Sequence, residues 1–180
     1  DWPALTGLNI DLNFINDGLW MKADKAMLGK VTASNLDAVI PDYSREKLLI
    51  DADVNGPGKE VGPYFNETPL KETLGAALGE LQLDGGVSAR LHLDIPLDGE
   101  MTTAKGDVRL NNNSLFIKPI DTTLQNLSGK FSFVNGDLKS EPMSATWFNQ
   151  PLNIDFSTTE GAKAFLVDVG MNASCCLLYT

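Results

Sequence analysis

The run Asp51-Ala52-Asp53-Val54-Asn55-Gly56 spaces its oxygens like the first half of a calcium loop, with ligand types at the first, third and fifth places and glycine at the sixth. The twelfth place needs a bidentate glutamate, and here it is Gly62. The residues leading into the run alternate as a strand does. The run is therefore expected to be a polar strand face entering a glycine turn, and no metal site is expected. His92, the only histidine, shares the polar phase of its segment with Arg90 and Asp94. A hydrolytic triad or a zinc site would need partners converging on it, and a solvated strand face is the simpler expectation. Asp94, Asp98, Asp107 and Asp121 could supply a pair of carboxylates for glycoside hydrolysis, but nothing in their spacing pairs them. Asn66, Asn112, Asn126 and Asn172 each begin an N-x-S/T triplet, which matters only for a glycosylated secretory protein. No catalytic residue and no cofactor are expected.

With chemistry of that kind set aside, composition narrows the partners. The 180 residues carry 14 Lys and Arg against 24 Asp and Glu, a formal net charge of −10. Nucleic acid is not an expected partner, because binding it requires a basic stripe. Apolar residues make up 43% of the chain, as in ordinary globular proteins. No run approaches the ~18 apolar residues of a membrane span. The chain opens on Asp1-Trp2-Pro3 and is expected to be part of something longer. Cys175 and Cys176 stand side by side in a tail, residues 175–180, that breaks the preceding pattern. That tail is left out of the fold, and residues 1–174 are treated as a single segment.

The elements that must carry the rest repeat a two-residue beat. Leu8, Ile10, Leu12 and Phe14 alternate with polar residues; so do Leu48, Ile50, Ala52 and Val54, then Leu91, Leu93 and Ile95, then Phe131 and Phe133, then Leu152, Ile154 and Phe156. On a strand such residues share one face. Strands are expected over residues 8–14, 19–26, 29–40 (with a bulge near Ser34-Asn35), 48–54, 86–95, 102–110, 114–117, 124–134, near 138, and over 143–148, 152–157 and 163–170. Asn16-Asp17-Gly18, Asn111-Asn112-Asn113 and Asn135-Gly136 are expected as joints between them. Short joints make neighbours antiparallel, so the fold class is mainly β, a long twisted antiparallel meander.

One stretch departs from this beat. Leu70, Leu74, Leu78 and Leu81 recur at three- and four-residue spacing, with Thr68 as a cap and Pro69 opening the helix. A shorter helix carrying Val61, Tyr64 and Phe65 precedes it. One or two helices are thus expected as an insertion near residues 59–81.

Alternation alone serves a closed β-sandwich core as well as an open trough. What favours the trough is a family resemblance, carried by particular runs. The run Pro96-Leu97-Asp98-Gly99, the stretch from Gly106 through Leu110 to Leu115, the stretch Leu124-Gln125-Asn126-Leu127-Ser128-Gly129-Lys130-Phe131-Ser132-Phe133, and Gln150-Pro151-Leu152 resemble the AsmA-like family of bacterial envelope proteins. The likeness runs from about Trp2 to Ala173 and lies in hairpin punctuation and apolar beat.

The resemblance implies a sheet curled into a groove, taco-like, in the periplasm, within a protein anchored in the inner membrane. It also implies phospholipid carriage between inner and outer membranes, with acyl chains as the bound partner. Lining residues expected on that basis are Ile10, Leu12, Phe14, Ile50, Val54, Leu91, Leu93, Ile95, Val108, Leu110, Phe131, Phe133, Ile154 and Phe156. The helix with Leu70, Leu74 and Leu78 is expected to cover the groove locally. Two other expectations remain open: a scaffold for outer-membrane protein assembly that pairs strand edges with incoming chains, and a ligand-free structural sandwich.

Overall fold

The computed structural model describes residues 4–68, 71, 81–160 and 165–172. Within them lie β1 (Asp11–Ile15), β2 (Gly18–Leu28), β3 (Val31–Ile40), β4 (Lys47–Pro57), α1 (Gly58–Asn66), β5 (Leu81–Asp84), β6 (Gly86–Pro96), β7 (Thr103–Ile117), β8 (Thr122–Val134), β9 (Asp137–Ser140), β10 (Met143–Trp147), β11 (Gln150–Glu160) and β12 (Phe165–Asn172). All the strands belong to one sheet, whose pairings are antiparallel and whose main path is β1-β2-β3-β4-β6-β7-β8-β10-β11-β12. No second sheet lies over its apolar face among the described residues, so the closed-sandwich expectation does not hold there.

The two strands off the main path are halves of broken strands. β5 pairs with Ser114–Ile117 of β7, and β6 pairs with the lower part of the same strand. β9 and β10 likewise divide the place between β8 and β11. The chain is therefore a serial meander with two interrupted strands.

Register shows why the sheet has one dry face. Cross-strand partners place Ala26, Ala33, Val54, Ala89, Val108 and Phe131 in a single row over six neighbouring strands. On the opposite face Lys25, Ser34, Asp53, Arg90, Asp107 and Ser132 form the matching row. Two buried clusters lie on the dry face. One is shallow, built from Ala23, Ala26, Ala33, Leu36, Ala38 and Ala52 of β2 to β4. The other is deep and includes Leu93, Val108, Leu127, Phe133, Leu138, Met143 and Ile154, with Phe65 of α1 added from above.

Turn residues follow local chemistry. The β1–β2 turn is made by Asn16 at φ 53°, whereas Gly18 enters β2 without a positive φ; asparagine tolerates the left-handed region well. Asn135 and the Phe148-Asn149 pair close the hairpins nearer the C-terminus in the same way. The expected bulge at Ser34-Asn35 is present. Asn35 sits at φ 49°, and the β3–β4 register shifts between Ser34 and Asp37.

Two expectations change. Asn111-Asn112-Asn113 is not a joint between strands but a bulge inside the continuous strand β7, with Asn112 at φ 56°. Leu81 is not on a helical face. It begins β5 opposite Ile117, because Leu81-Gln82-Leu83-Asp84 is itself an alternating run. The expected helix of Leu70, Leu74 and Leu78 lies outside the described residues, while the shorter helix is α1.

The β7 bulge has a structural reason. Asn113 is 1% exposed. Its Nδ2 donates to the carbonyls of Asp84 and Gly86, 3.0 Å each, and its Oδ1 accepts from the Asn111 amide at 2.8 Å. One side chain thus replaces the ladder bonds lost where β5 breaks from β6. Gly85 at the break has φ +102°, and a Cβ there would stand 2.7 Å from Asn113 Nδ2.

Asn113→Leu keeps the volume and strands two carbonyls and an amide. Denaturant unfolding should show a loss of about 2–4 kcal/mol, the worth of three buried hydrogen bonds; a loss below ~1 kcal/mol would mean that water replaces the side chain.

Candidate functional site

The polar constellations singled out in the sequence lie on the wet face and at turns. Asp51, Asp53 and Asn55 project from one face of β4, not from a loop. Asp53 accepts hydrogen bonds from Asn35 Nδ2 at 2.8 Å and from Arg90 at 3.0 Å. Those two donors hold its carboxyl below the ordinary aspartate value. His92 Nδ1 lies 3.1 Å from Asp51 Oδ1 across the β4–β6 pair. Asp94 meets Lys47 at 3.5 Å. Asp98 sits in the β6–β7 turn and accepts from the Glu100 amide. Asp107 is exposed on β7, and Asp121 follows the short 3-10 turn after that strand. Asp98 and Asp121 thus lie at opposite ends of β7. These cross-strand contacts are partly exposed to solvent, and each is weak alone.

The dry face holds a groove. It contains about 1190 Å³ of atom-free space, counting its open side, and its wall runs from Leu28 and Val31 at the β2–β3 turn, across β4, β6, β7 and β8, to Phe156 on β11. Residues near opposite ends of the sheet border one cavity only because the sheet curls, and the right-handed twist of strands supplies the curl. Phe131 and Phe156 lie side by side along its wall, on either side of Ser140 of β9, with ring centroids 5.8 Å apart.

α1 roofs one end of the groove. Val61, Tyr64 and Phe65 line the cavity from above, and Phe65 is buried with the main cluster. The helix can lie this low because Gly58 has no side chain: a Cβ there would meet Leu83 Cγ and its carbonyl at 2.9 Å. Thr68 Oγ1 closes the turn beyond by donating to the Phe65 carbonyl at 2.9 Å.

The expected lining residues divide into three groups. Val54, Leu91, Val108, Leu110, Phe131, Phe133 and Phe156 border the cavity. Ile50, Leu93, Ile95 and Ile154 share the dry face but lie in the packed core beside it, with Leu93 and Ile154 buried. Leu12 and Phe14 on β1 are 51% and 70% exposed, and Ile10 just before them is half-buried. They extend the dry face past the cavity, with Leu12 opposite Met21.

Sequence reading missed several lining residues. Val87 and Ala89 share the phase of Leu91 and could have been found from it. Leu28 and Val31 flank a hairpin tip, and Leu127 and Met143 follow bulged or broken strands, so no simple alternation marks them.

Among the described lining residues, Asn55 and Tyr64 carry the only polar side-chain groups. Burial raises the pKa of the Tyr64 phenol, keeping it neutral. A wall without charge can hold hydrocarbon, at ~0.8 kcal/mol per CH₂ removed from water. At the α1 end the groove meets a polar recess with about 670 Å³ of atom-free space, again counting its open side. Leu28, Val31 and Tyr64 line both spaces.

Comparison with known proteins fits this geometry. The family model described as YhdP protein matches residues 1–177. The Escherichia coli (strain K12) protein named Intermembrane phospholipid transporter YhdP is 74% identical over 174 residues, which cover 97% of this chain and 14% of that protein. No solved structure matches. No helix among the described residues is long and apolar enough to cross a membrane. A match along nearly the whole chain, with so high an identity, shows that the chain belongs to the YhdP family.

Proposed function

We propose that this chain is one segment of a longer protein that carries phospholipids between the inner and outer membranes, their acyl chains lying in the groove. The observation that carries this reading is the uncharged trough, covered by no second sheet among the described residues and lined by Val54, Leu91, Val108, Phe131 and Phe156 among others. The name of its E. coli relative supports the same reading. The chain spans only 14% of that relative's length, so anchoring in the inner membrane and contact with the outer one fall to parts beyond it. The working position is the periplasm, between the two membranes. Residues 1–174 act as one β-groove unit.

The mechanism follows from uniformity. An acyl chain in the trough touches aliphatic and aromatic carbon wherever it lies. Each small displacement exchanges one apolar contact for another, so the barrier to sliding is low. The wet face of the sheet, with its ladder of Lys, Asp and Arg, keeps the outside solvated and leaves the lipid one favourable surface. No reaction is involved, and no group on the wall exchanges a proton. Among the described residues β1 pairs on one side only and could template an incoming strand, but no cavity or side-chain arrangement favours that role over lipid.

Three outcomes are expected. A photocrosslinking side chain placed in the full-length protein at Leu91 or Phe131 should yield lipid-mass adducts in cells, and one at Lys105, on the wet face, should yield none. Protein adducts alone at all three positions would overturn the reading. Phe131→Asp puts a hydrated carboxylate across the path and should lower lipid adducts at Leu91 about tenfold or more, since even two displaced CH₂ groups cost ~0.8 kcal/mol each. Leu93→Asp should instead unfold the segment, detected as lost protease resistance, because a carboxylate buried in that core costs several kcal/mol.

A further inference from the structure

The recess at the α1 end is unlike the rest of the dry face. Lys30, in the β2–β3 turn, reaches across to Glu60 on the first turn of α1, with Nζ to Oε1 at 2.9 Å. Glu67, just past the helix, lines the same recess and makes no ion pair among the described residues. Tyr64 contributes its phenol to the wall shared with the groove. The recess therefore holds two carboxylates and one ammonium where an uncharged trough comes to its end.

We propose that this recess is a head-group station for zwitterionic lipid of the phosphoethanolamine type. This inference rests on the carriage reading above. Lys30 would receive the phosphate, while Glu60 and Glu67 would receive the head-group amine.

Three features support it. The recess and the groove share Leu28, Val31 and Tyr64, so a molecule with its tails in the trough can rest its polar end there without leaving the apolar wall. A lysine ammonium has three donors, so Lys30 can take a phosphate oxygen while still bonded to Glu60. A primary amine likewise brings three donors, enough for the second Glu60 oxygen and for Glu67. The local charge also selects. With two carboxylates against one ammonium among the residues that line it, the recess complements a head group that carries a cation beside its phosphate. An anionic glycerol head group brings a phosphate for Lys30 but no cation for the second Glu60 oxygen and Glu67. Lys30 holds Glu60 below its ordinary pKa, chiefly through the hydrogen bond, so that carboxylate is ionised at neutral pH.

The test uses the full-length protein in detergent micelles doped with equal amounts of phosphatidylethanolamine and phosphatidylglycerol. A photocrosslinker at Val31, which lines both spaces, reports the bound lipid by adduct mass. Ethanolamine adducts should exceed glycerol adducts roughly fivefold, the factor that two partly exposed ion pairs together amount to. Glu60→Gln with Glu67→Gln should bring the ratio close to one. Lys30→Gln should lower both adducts together, because both lipids carry the phosphate. Asp98→Asn with Glu100→Gln makes the same change in net charge at the other end of the strands and should leave the ratio as it was. An unchanged ratio in the Glu60 and Glu67 variant, or an equal fall in the Asp98 and Glu100 control, would overturn the station while leaving carriage intact. No lipid adduct of either kind in the unaltered protein would overturn carriage, and the station with it.

Discussion

Everything in this fold depends on strand register. Antiparallel pairing fixes which residue stands opposite which, and the side-chain period of two then assigns every residue to a face. A slip of one residue in β4 would bring Asp51 and Asp53 onto the dry face and expel Ile50, Ala52 and Val54 from it. The charged rows guard against this. Lys22 meets Asp37 at 3.1 Å across β2–β3, and Arg90 meets Asp53 across β4–β6. Each pair is weak alone, but a slip breaks them all together while hydrating the apolar row. Specificity of register is thus the product of both faces.

Bulges modify that rule without breaking it. Leu110 and Leu115 of β7 are both buried although five residues separate them, and so are Leu124 and Leu127 of β8 three residues apart. In a regular strand each such pair would point to opposite faces. The extra residues at Asn112 and Asn126, both with positive φ, absorb the mismatch and restore the dry phase beyond it. A bulge also sharpens local twist. The same insertions that correct the face therefore help curl the sheet until Val31 and Phe156 border one cavity.

This explains what the sequence disclosed and what it withheld. The alternating runs of β4, β6 and β11 were legible because period and turn chemistry agree there. Asn111-Asn112-Asn113 looked like a joint because asparagines make joints; only the partner carbonyls of Asp84 and Gly86, nearly thirty residues away, turn them into a bulge. Leu81 matched a helical stripe by spacing, yet pairing with Ile117 decided its state. The site was legible to the level of a face and no further. Leu91 and Leu93 have the same phase and the same chemistry, and one borders the cavity while the other is packed core. That difference comes from curvature and from the neighbours each meets across the sheet, which are not local properties. Leu12 and Phe14 show the converse, apolar in phase but exposed on β1, the first strand of the described sheet.

The placement of α1 makes the groove more than a uniform slide. Along β4 to β8 the wall offers a lipid tail the same surface everywhere, which favours motion and gives no reason to pause. At the helix the section changes on three counts: the trough gains a roof through Val61, Tyr64 and Phe65, it meets charge through Lys30 and Glu60, and it opens into a second space. A tail can pass beneath such a roof only if the head group it drags remains at the rim, where the charged residues stand. Roof and charge therefore act on different ends of the same molecule, and the low seat that Gly58 gives the helix brings the two within reach of one lipid. A bulkier residue there would have to lift α1 from Leu83, parting Glu60 from Lys30 and the roof from the wall in a single movement.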